Sequence, residues 1–396
     1  MKRADVVAVS AVRTPMGKFG GTLKDVPVYD LGAAAIRGAV QKAGISADVL
    51  DEVILGHCRQ AGNGPNPARS AARKADVPVS VPANSLNMAC PSGMKAVALG
   101  AQAIQLGDSK VVVAGGMDSM STIPYLLKGV RFEGFKMGDK TLLDGWSDSI
   151  DPIIETGMGG TAENLVEKYD IPRAEMDSFA VESHTKAARA IDQGWFEDEI
   201  VPFVIPGTKK APEVVFAVDE TPRRDTSVEQ LGKLPAVFRK GGRVTAGNAC
   251  GMSDGATAIV LTSRDHAKAL GLRPLFSIAS FAQTAVDNAT MGEGPGFAIP
   301  MALGAAGMKL ADMDLVEVNE AFAVQVLVNE RTLGWDRAKL NVHGGAIALG
   351  HPTGISGARI LVTLAHALRR LDKEHGVASI CGGGGVTMAM VIRREA

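Results

Sequence analysis

A cysteine stands where an apolar segment gives way to an alanine-rich one. In residues 87–93 (NMACPSG) an apparent buried strand ends at Cys90, and Pro91 suits the first position of a following helix. A thiol at a helix N-terminus has a lowered pKa, because the helix dipole and nearby amides favour the thiolate. The pattern predicts a nucleophile at Cys90. The alternative is a buried structural cysteine, since free cysteine is among the most buried residue types.

A glycine-dense segment presents a histidine shortly before a second long helix. Residues 341–354 (NVHGGAIALGHPTG) contain His351, which can exchange protons near neutral pH, while the glycines let the backbone approach a ligand closely. A phosphate-binding loop is not indicated, because the G-x-x-x-x-G-K-[ST] pattern is absent. The alternative is that these glycines only pack tightly between a helix and a sheet.

Two further segments carry groups suited to acyl chemistry. Residues 381–385 (CGGGG) place Cys381 at a strand end before four glycines, whose backbone amides could hold an oxyanion. Residues 319–323 (NEAFA) place Asn319 and Glu320 where a strand becomes a helix. Taken alone, that Asn-Glu pair is typical of a helix N-cap.

The elements that must position these residues alternate along the chain. Short β-branched runs between longer alanine-rich amphipathic runs indicate an α/β protein with buried sheets. We predict strands at Val6–Val12, Val53–Leu55, Lys110–Ala114, Leu275–Ala282, Val316–Val318 and Val377–Cys381. We predict helices at Asp30–Ala43, Pro91–Leu106, Arg173–Gln193, Arg264–Leu270 and Ile355–Leu371.

A long-period repeat divides the chain into two similar parts. An acidic turn before a strand, a Ser-Gly pair opening a helix, and a strand with paired glycines each occur twice in the same order, at separations of 263, 264 and 267 residues. Such constant spacing indicates two copies of one α/β unit. The paired features begin at Asp51 and Asp314, at Ser92 and Ser356, and at Gly115 and Gly382. The segment between the copies, richer in charge, glycine and proline, is predicted to be an inserted loop domain.

Composition excludes several classes of protein. The chain has 396 residues, of which 46% are hydrophobic and 21% charged, so it can bury at least two cores and is neither disordered nor a small binding module. A net charge of −1 favours neither nucleic acid nor an anionic membrane. The four cysteines form no C-x-x-C pair, which argues against a metal site or a disulfide framework and favours a reduced, cytoplasmic setting. No signal peptide or membrane-spanning run is recognisable.

The four chemical segments together resemble the thiolase family over nearly the whole chain. Supporting motifs are residues 66–69 (NPAR), 115–121 (GGMDSMS), 161–164 (TAEN) and 245–248 (TAGN). The resemblance implies an α/β fold of duplicated units in a five-layer αβαβα core with an inserted loop domain. It implies an N-terminal half of residues 1–120 plus 246–270, a loop domain of residues 121–245, and a C-terminal half of residues 271–396.

The same resemblance implies roles for individual residues. Cys90 is expected to carry the acyl group and His351 to activate it, while Cys381 exchanges a proton with the α-carbon of the acetyl unit. Asn319, through a water and with His351, is expected to form one oxyanion hole. The backbone N–H groups of Cys90 and Gly383 are expected to form the other. Candidate substrate contacts are Arg223, Ala246, Cys250, Met158, Phe238 and Phe322.

The expected reaction is the reversible cleavage or condensation of a 3-oxoacyl-CoA by an acetyl-CoA acyltransferase. Coenzyme A and acetyl-CoA are then substrates and not permanently bound cofactors, no metal is expected, and the subunits are expected to form dimers or tetramers. Gly157 and Ala89 stand where bulkier residues are usual, which suggests an acyl chain that is longer or branched. Alternatives are a decarboxylating ketoacyl synthase, which lacks a second catalytic cysteine such as Cys381, and a non-catalytic lipid-binding homologue, in which the Asn-Glu and histidine motifs are degenerate.

Overall fold

The structure, a computed structural model, describes residues 4–207, 209 and 212–395. Its strands are β1 Val6–Arg13, β2 Gly17–Lys18, β3 Glu52–Gly56, β4 Ala83–Leu86, β5 Val111–Ser119, β6 Tyr125–Leu126, β7 Leu143–Asp144, β8 Ile150–Asp151, β9 Thr156–Gly157, β10 Phe203–Ile205, β11 Val214–Phe216, β12 Ser253–Ser263, β13 Phe276–Ala285, β14 Leu315–Val318, β15 His375–Cys381 and β16 Val386–Arg394. Its helices are α1 Val28–Ala43, α2 Pro67–Lys74, α3 Ser92–Leu106, α4 Val130–Glu133, α5 Met158–Tyr169, α6 Arg173–Asp192, α7 Val228–Gly232, α8 Arg264–Ala269, α9 Pro295–Ala306, α10 Ala323–Leu333, α11 Ala346–Leu349 and α12 Thr353–Arg370. Within the described ranges, none of the helices has the length and apolar character needed to cross a membrane.

The long strands form one mixed sheet with two halves. Its order is β14-β15-β16-β13-β1-β12-β5-β3-β4, and the short strand β2 pairs with β12. The halves join between β1 and β13 through only two residue pairs, Val7 with Ser277 and Ala8 with Phe276. Because the junction is so short, the sheet bends there, and the two half-sheets lie on opposite sides of a layer of helices.

The two halves have the same topology. The order β3-β5-β12-β1 in the first corresponds to β14-β15-β16-β13 in the second, and in both only the first pair is parallel. Even the register shift recurs, between Ala8 and Ser10 in β1 and between Ile278 and Ser280 in β13. The structure therefore confirms the duplicated α/β unit predicted from the repeat.

Three hydrophobic clusters fill the spaces between five layers. Helices α1 and α2 pack on the outer face of the first half-sheet, and α9 and α10 pack on the outer face of the second. Helices α3 and α12 lie between the half-sheets. Successive residues of one strand enter different clusters, as Val112 and Val113 do in β5, because side chains alternate across a sheet. This is the αβαβα arrangement expected from the sequence.

The central helices α3 and α12 cross where equivalent glycines meet. A Cβ atom added to Gly93 would lie 2.8 Å from the backbone nitrogen of Ala358, and one added to Gly357 would lie 2.7 Å from that of Met94. Real Cβ contacts are not that short, so only glycine allows this approach. The close crossing brings the N-terminal ends of both helices together.

The insert lies within the first copy, between β5 and β12, and not between the copies as the repeat suggested, and it packs on both halves. Leu165 of α5 and Phe179 of α6 belong to the cluster of the second half. Arg13 of β1 pairs in the buried interior with Glu199 and Asp219 of the insert, at 2.5 and 2.7 Å. The predicted limits of the insert, residues 121–245, stay a prediction.

Most of the predicted elements are confirmed with small shifts of their ends, but β12 and β16 are absent from the predictions. Both are central strands buried on both faces, and such strands lack a clear polar alternation. The predicted equivalence of Gly115 with Gly382 was wrong.

In the first copy Leu55 pairs with Gly115, and in the second Val318 pairs with Ser379. Strand pairing therefore makes Gly115 equivalent to Ser379, and Asp118 equivalent to Gly382. The glycine pair of the first copy thus lies inside a strand, three residues out of step with the second.

Candidate active site

Cys90 lies in a tight turn directly before α3. The preceding residue, Ala89, has a left-handed backbone with φ 51°, which is uncommon for a residue with a side chain. The Ser92 hydroxyl holds this turn, donating to the Ala89 carbonyl at 2.6 Å and accepting from the Met88 N–H at 2.8 Å. The turn fixes where the Cys90 sulfur points.

The expected lowering of the Cys90 pKa was wrong. Burial raises the pKa of the thiol to about 11, because a thiolate loses its hydration inside the protein. The charge of Arg59 and the backbone N–H groups of Gly383 and Cys90 act in the opposite direction without overcoming burial. At neutral pH the resting group is therefore a thiol, and it needs a base to become a nucleophile.

His351 is held as a base by Ser356. The Ser356 hydroxyl donates its one proton to the Pro352 carbonyl at 2.9 Å, so it accepts from Nδ1 of His351 at 2.6 Å. That assigns the ring proton to Nδ1 and leaves Nε2 with a lone pair. Nε2 is buried and has no partner in the described part of the chain. Burial, with the charges of Arg359 and Arg59, lowers the pKa of His351 to about 3, so the ring is neutral.

One carboxylate ties the Cys90 and His351 regions together. Asp118 at the end of β5 accepts from the Thr353 hydroxyl at 2.8 Å and from the Gly354 N–H at 2.6 Å, both at the start of α12. Its other oxygen accepts from the Arg59 N–H at 3.0 Å and pairs with His57 Nδ1 at 2.7 Å. Burial alone raises the pKa of Asp118, but the hydrogen bonds and charge of His57 outweigh it and hold the pKa below its usual value.

The loop after β15 lies against Cys90. A Cβ atom on Gly382 would lie 2.5 Å from Pro91 Cδ and 3.1 Å from the Cys90 nitrogen, so glycine is required there. Cys381 is fully buried, and burial together with the neighbouring Cys90 and Cys250 raises the pKa of its thiol. The structure therefore brings residues 90 and 381 together although 291 positions separate them in the chain.

Asn319 is buried with both side-chain polar atoms lacking a partner within the described residues. An unpartnered buried amide is costly, and such a group is satisfied by water or a ligand. The helix-cap alternative is wrong, since α10 begins after Phe322 without a side-chain cap. Glu320 has a different role from its neighbour: its carboxylate accepts from Ser183, Asn341 and the Ile347 N–H and so fixes the histidine-containing loop.

The predicted substrate contacts divide into two groups. In the first group, the Met158 sulfur would lie 3.2 Å from a Cβ atom added to Gly383. Burial, and to a lesser extent the nearby Cys90, raises the pKa of the Cys250 thiol to about 12. Phe238 and Phe322 pack edge to face with ring centres 6.1 Å apart.

The second group, Arg223 and Ala246, is exposed and has no contact with the cysteines among those described; Phe238 of the first group is also exposed. The backbone N–H of Arg223 donates to His184 of α6 at 3.1 Å. This contact holds Arg223 against another helix of the insert and does not place it beside the cysteines.

Three residues of the site were missed at the sequence level: Cys58, Arg59 and Asp118. Cys58 and Arg59 follow β3, and Asp118 is near the end of the adjacent parallel strand β5. The carboxyl ends of parallel strands at one sheet edge form a common site in α/β proteins, and that rule could have found all three. Among the described residues no group of three or more His, Cys, Asp or Glu side chains is arranged to hold a metal ion.

Comparison with known proteins covers both halves of the chain. Residues 6–265 match the thiolase N-terminal domain and residues 272–394 match the thiolase C-terminal domain. An acetyl-CoA acetyltransferase of Pseudomonas aeruginosa is 51% identical over 99% of this chain and all of its own length. The crystal structure of the Bacillus anthracis acetyl-CoA acetyltransferase superposes with a TM-score of 0.97 at 46% identity, covering 99% of each chain. Human mitochondrial 3-ketoacyl-CoA thiolase in complex with CoA has a TM-score of 0.95 at 42% identity, covering 99% of this chain and 98% of its own.

Proposed function

The chain belongs to the thiolase family and is an acyltransferase, and from this premise we propose that it cleaves and forms 3-oxoacyl-CoA through an acyl group on Cys90. Coenzyme A and acetyl-CoA are its substrates. The single observation that supports the acyl-cysteine route most directly is the contact of the Cys381 loop with Cys90, because it places two thiols from different copies of the fold side by side.

Cleavage begins with the proton of Cys90. Because burial holds that thiol protonated at neutral pH, the proton moves to Nε2 of His351 as sulfur attacks the 3-oxo carbon. The ring is suited to this step, since Ser356 keeps the other nitrogen protonated. The first product of the attack is a tetrahedral oxyanion bonded to Cys90.

The bond between C2 and C3 of the substrate then breaks. Its electron pair becomes the enolate of acetyl-CoA, which takes the proton of Cys381, while the carbonyl re-forms as an acyl group on Cys90. The thiol of coenzyme A next attacks the acyl group and gives a shortened acyl-CoA. The proton of that thiol restores Cys381, and the proton held by His351 restores Cys90. One thioester replaces another, so the exchange is nearly balanced and reversible.

Two oxyanions need donors during this sequence. The backbone N–H groups of Cys90 and Gly383 already lie near the sulfur and stabilise negative charge there, which supports their use for the tetrahedral oxyanion. The unpartnered amide of Asn319, through a water, and protonated His351 serve the enolate oxygen. Each donor of this kind contributes about 3 kcal/mol in comparable sites.

Intact-mass measurement after mixing with acetyl-CoA tests the covalent step. The parent protein is expected to gain one acetyl group, and Cys90→Ser is expected to lose the adduct and at least about 10³-fold in the rate of acetoacetyl-CoA thiolysis. Cys58→Ser removes a neighbouring thiol of the same site while its hydroxyl keeps the hydrogen bond to the Ala89 carbonyl, and this variant is expected to keep the acetyl adduct. An undiminished rate in Cys90→Ser rules out the assigned nucleophile.

We propose further that the acyl pocket accepts chains longer than four carbons. A Cβ atom added at Gly157 meets nothing within 4 Å, and the Ala89 side chain next to the nucleophile is a single methyl group. Steady-state rates across 3-oxoacyl-CoA substrates of increasing length test this. A sharp preference for the four-carbon substrate contradicts the proposal.

A further inference from the structure

Arg59 is held by several contacts close to the cysteines and His351. Its guanidinium lies over the Trp146 ring at 4.6 Å, and its Nη2 donates to the Ser149 hydroxyl at 2.6 Å. Its backbone N–H donates to Asp118, the carboxylate that joins the two helix starts. The side chain is therefore held by one short segment, residues 145–149, and the backbone by Asp118.

The charge of Arg59 has no carboxylate partner. The fully buried arginines Arg13 and Arg359 pair with Asp219 and Glu317, at 2.7 and 3.2 Å. Arg59 is half-buried, forms no ion pair within the described part of the chain, and its Nε is buried without any acceptor. A buried donor without an acceptor is costly, and an anion beside this guanidinium satisfies both the donor and the unpaired charge.

The ligand must approach from the side of the reacting atoms. The neighbouring Cys58 donates its thiol to the Ala89 carbonyl at 3.1 Å, which places Arg59 one residue from a group that contacts the nucleophile turn. The charge of Arg59 also lowers the pKa of Cys90 against the larger effect of burial and adds to the lowering at His351. The phosphates of coenzyme A are separated from the thioester by the whole pantetheine arm, so they do not reach a residue beside Cys90. The resting thiol of Cys90 is neutral and does not supply the counter-charge.

Among the groups that take part in the reaction, the acyl chain is the remaining source of negative charge. We propose that Arg59 binds a carboxylate at the far end of that chain, so that the substrate class is a 3-oxoacyl-CoA with a terminal carboxylate. This inference rests on the proposed thiolase reaction and narrows it. The planar guanidinium fixed on Trp146 suits a carboxylate, which it binds through paired hydrogen bonds.

The test compares two 3-oxoacyl-CoA substrates of equal carbon number, one ending in a methyl group and one in a carboxylate. For each protein the ratio of the two kcat/KM values is measured, because any effect of Arg59 on the Cys90 thiol cancels in that ratio. The parent is expected to prefer the carboxylate. Arg59→Gln is expected to lower the ratio on the order of 100-fold, and Arg59→Lys, which keeps the charge without the fork, by less.

Arg273→Gln, at an exposed site before β13, is the matched control and should leave the ratio unchanged. A parent that prefers the methyl-ended substrate, or an Arg59→Gln variant that slows both substrates equally, overturns the inference while the thiolase reaction stands. If the parent cleaves neither substrate and not acetoacetyl-CoA either, both the reaction and the inference are overturned.

Discussion

The two copies of the α/β unit have an equivalent serine in the first turn of the central helix, Ser92 in α3 and Ser356 in α12, but its hydroxyl binds different groups. In the first copy the Ser92 hydroxyl donates to the Ala89 carbonyl and fixes the turn that carries the nucleophile. In the second copy the Ser356 hydroxyl donates to Pro352 and accepts from His351, which fixes the tautomer of the base. The equivalent hydroxyls therefore differ in function: that of Ser92 holds a backbone turn, and that of Ser356 also holds a side chain, the ring of His351.

The strands that precede the site differ in the same way. In the first copy β5 continues to Ser119, and its Asp118 reaches across to the start of α12. In the second copy β15 stops at Cys381, and Gly382, the equivalent of Asp118, lets the loop approach Cys90. One copy thus contributes the link between the halves, and the other contributes the second thiol.

Replacing the link should have the largest effect on stability. In Asp118→Asn the amide nitrogen faces the Gly354 N–H or the Arg59 N–H, so a donor meets a donor in the interior. We expect a loss of about 3 kcal/mol in the free energy of unfolding at pH 7. Urea denaturation of both proteins measures it, and equal midpoints would show that Asp118 does not join the copies.

The same variant has a defined pH dependence. The pKa of Asp118 is lowered in the folded protein, so its contribution is fully present above the unfolded pKa, about 3.9, and is lost as the pH falls through the folded value. The difference between parent and Asp118→Asn should therefore be constant above about pH 5 and shrink toward acid pH. A difference that grows on acidification contradicts the assignment.

The helix crossing gives a smaller effect with an internal control. In Gly357→Ala the added methyl group meets the Met94 backbone nitrogen at 2.7 Å, and we expect a loss of about 2 kcal/mol, with a lower melting temperature. Gly304→Ala in α9 meets nothing within 4 Å and should gain up to about 1 kcal/mol from helix propensity. A glycine-to-alanine change is thus expected to destabilise the protein in α12 and to stabilise it in α9. Calorimetry on both variants checks this, and two stabilised variants would mean the crossing is loose.

The paired serines give the smallest effect and test the comparison most directly. Ser356→Ala frees the ring of His351, so we expect kcat to fall about 10-fold with KM nearly unchanged, since ring orientation matters chiefly in the transition state. Ser92→Ala instead releases the turn at Ala89 and should lower thermal stability together with activity. Matching kinetic and thermal responses in the two variants would remove the difference between the copies.

Several features of the site were readable from the sequence because each depends on local chemistry. Cys90 before a proline, His351 in a glycine-rich loop and Cys381 at a strand end were recognisable as separate motifs, and the repeat predicted that two copies share one fold. Asp118 was recognised only as part of the motif of residues 115–121 and given no role, and Arg59 was not singled out, because nothing local indicates what either residue contacts. Their importance arises from contacts with Trp146 and Thr353, which are distant in the chain.

The sequence by itself determined the residue types, the duplicated order of elements and the family, because periodicity and motif spacing are local properties of the chain. Only the tertiary structure decided the protonation of the reactive groups. Burial outweighs the charge of Arg59 and the nearby backbone N–H groups at Cys90, it keeps His351 neutral, and it is a property of the packed fold. The close crossing at Gly93 and Gly357 likewise decided that the starts of two helices far apart in the chain lie next to each other.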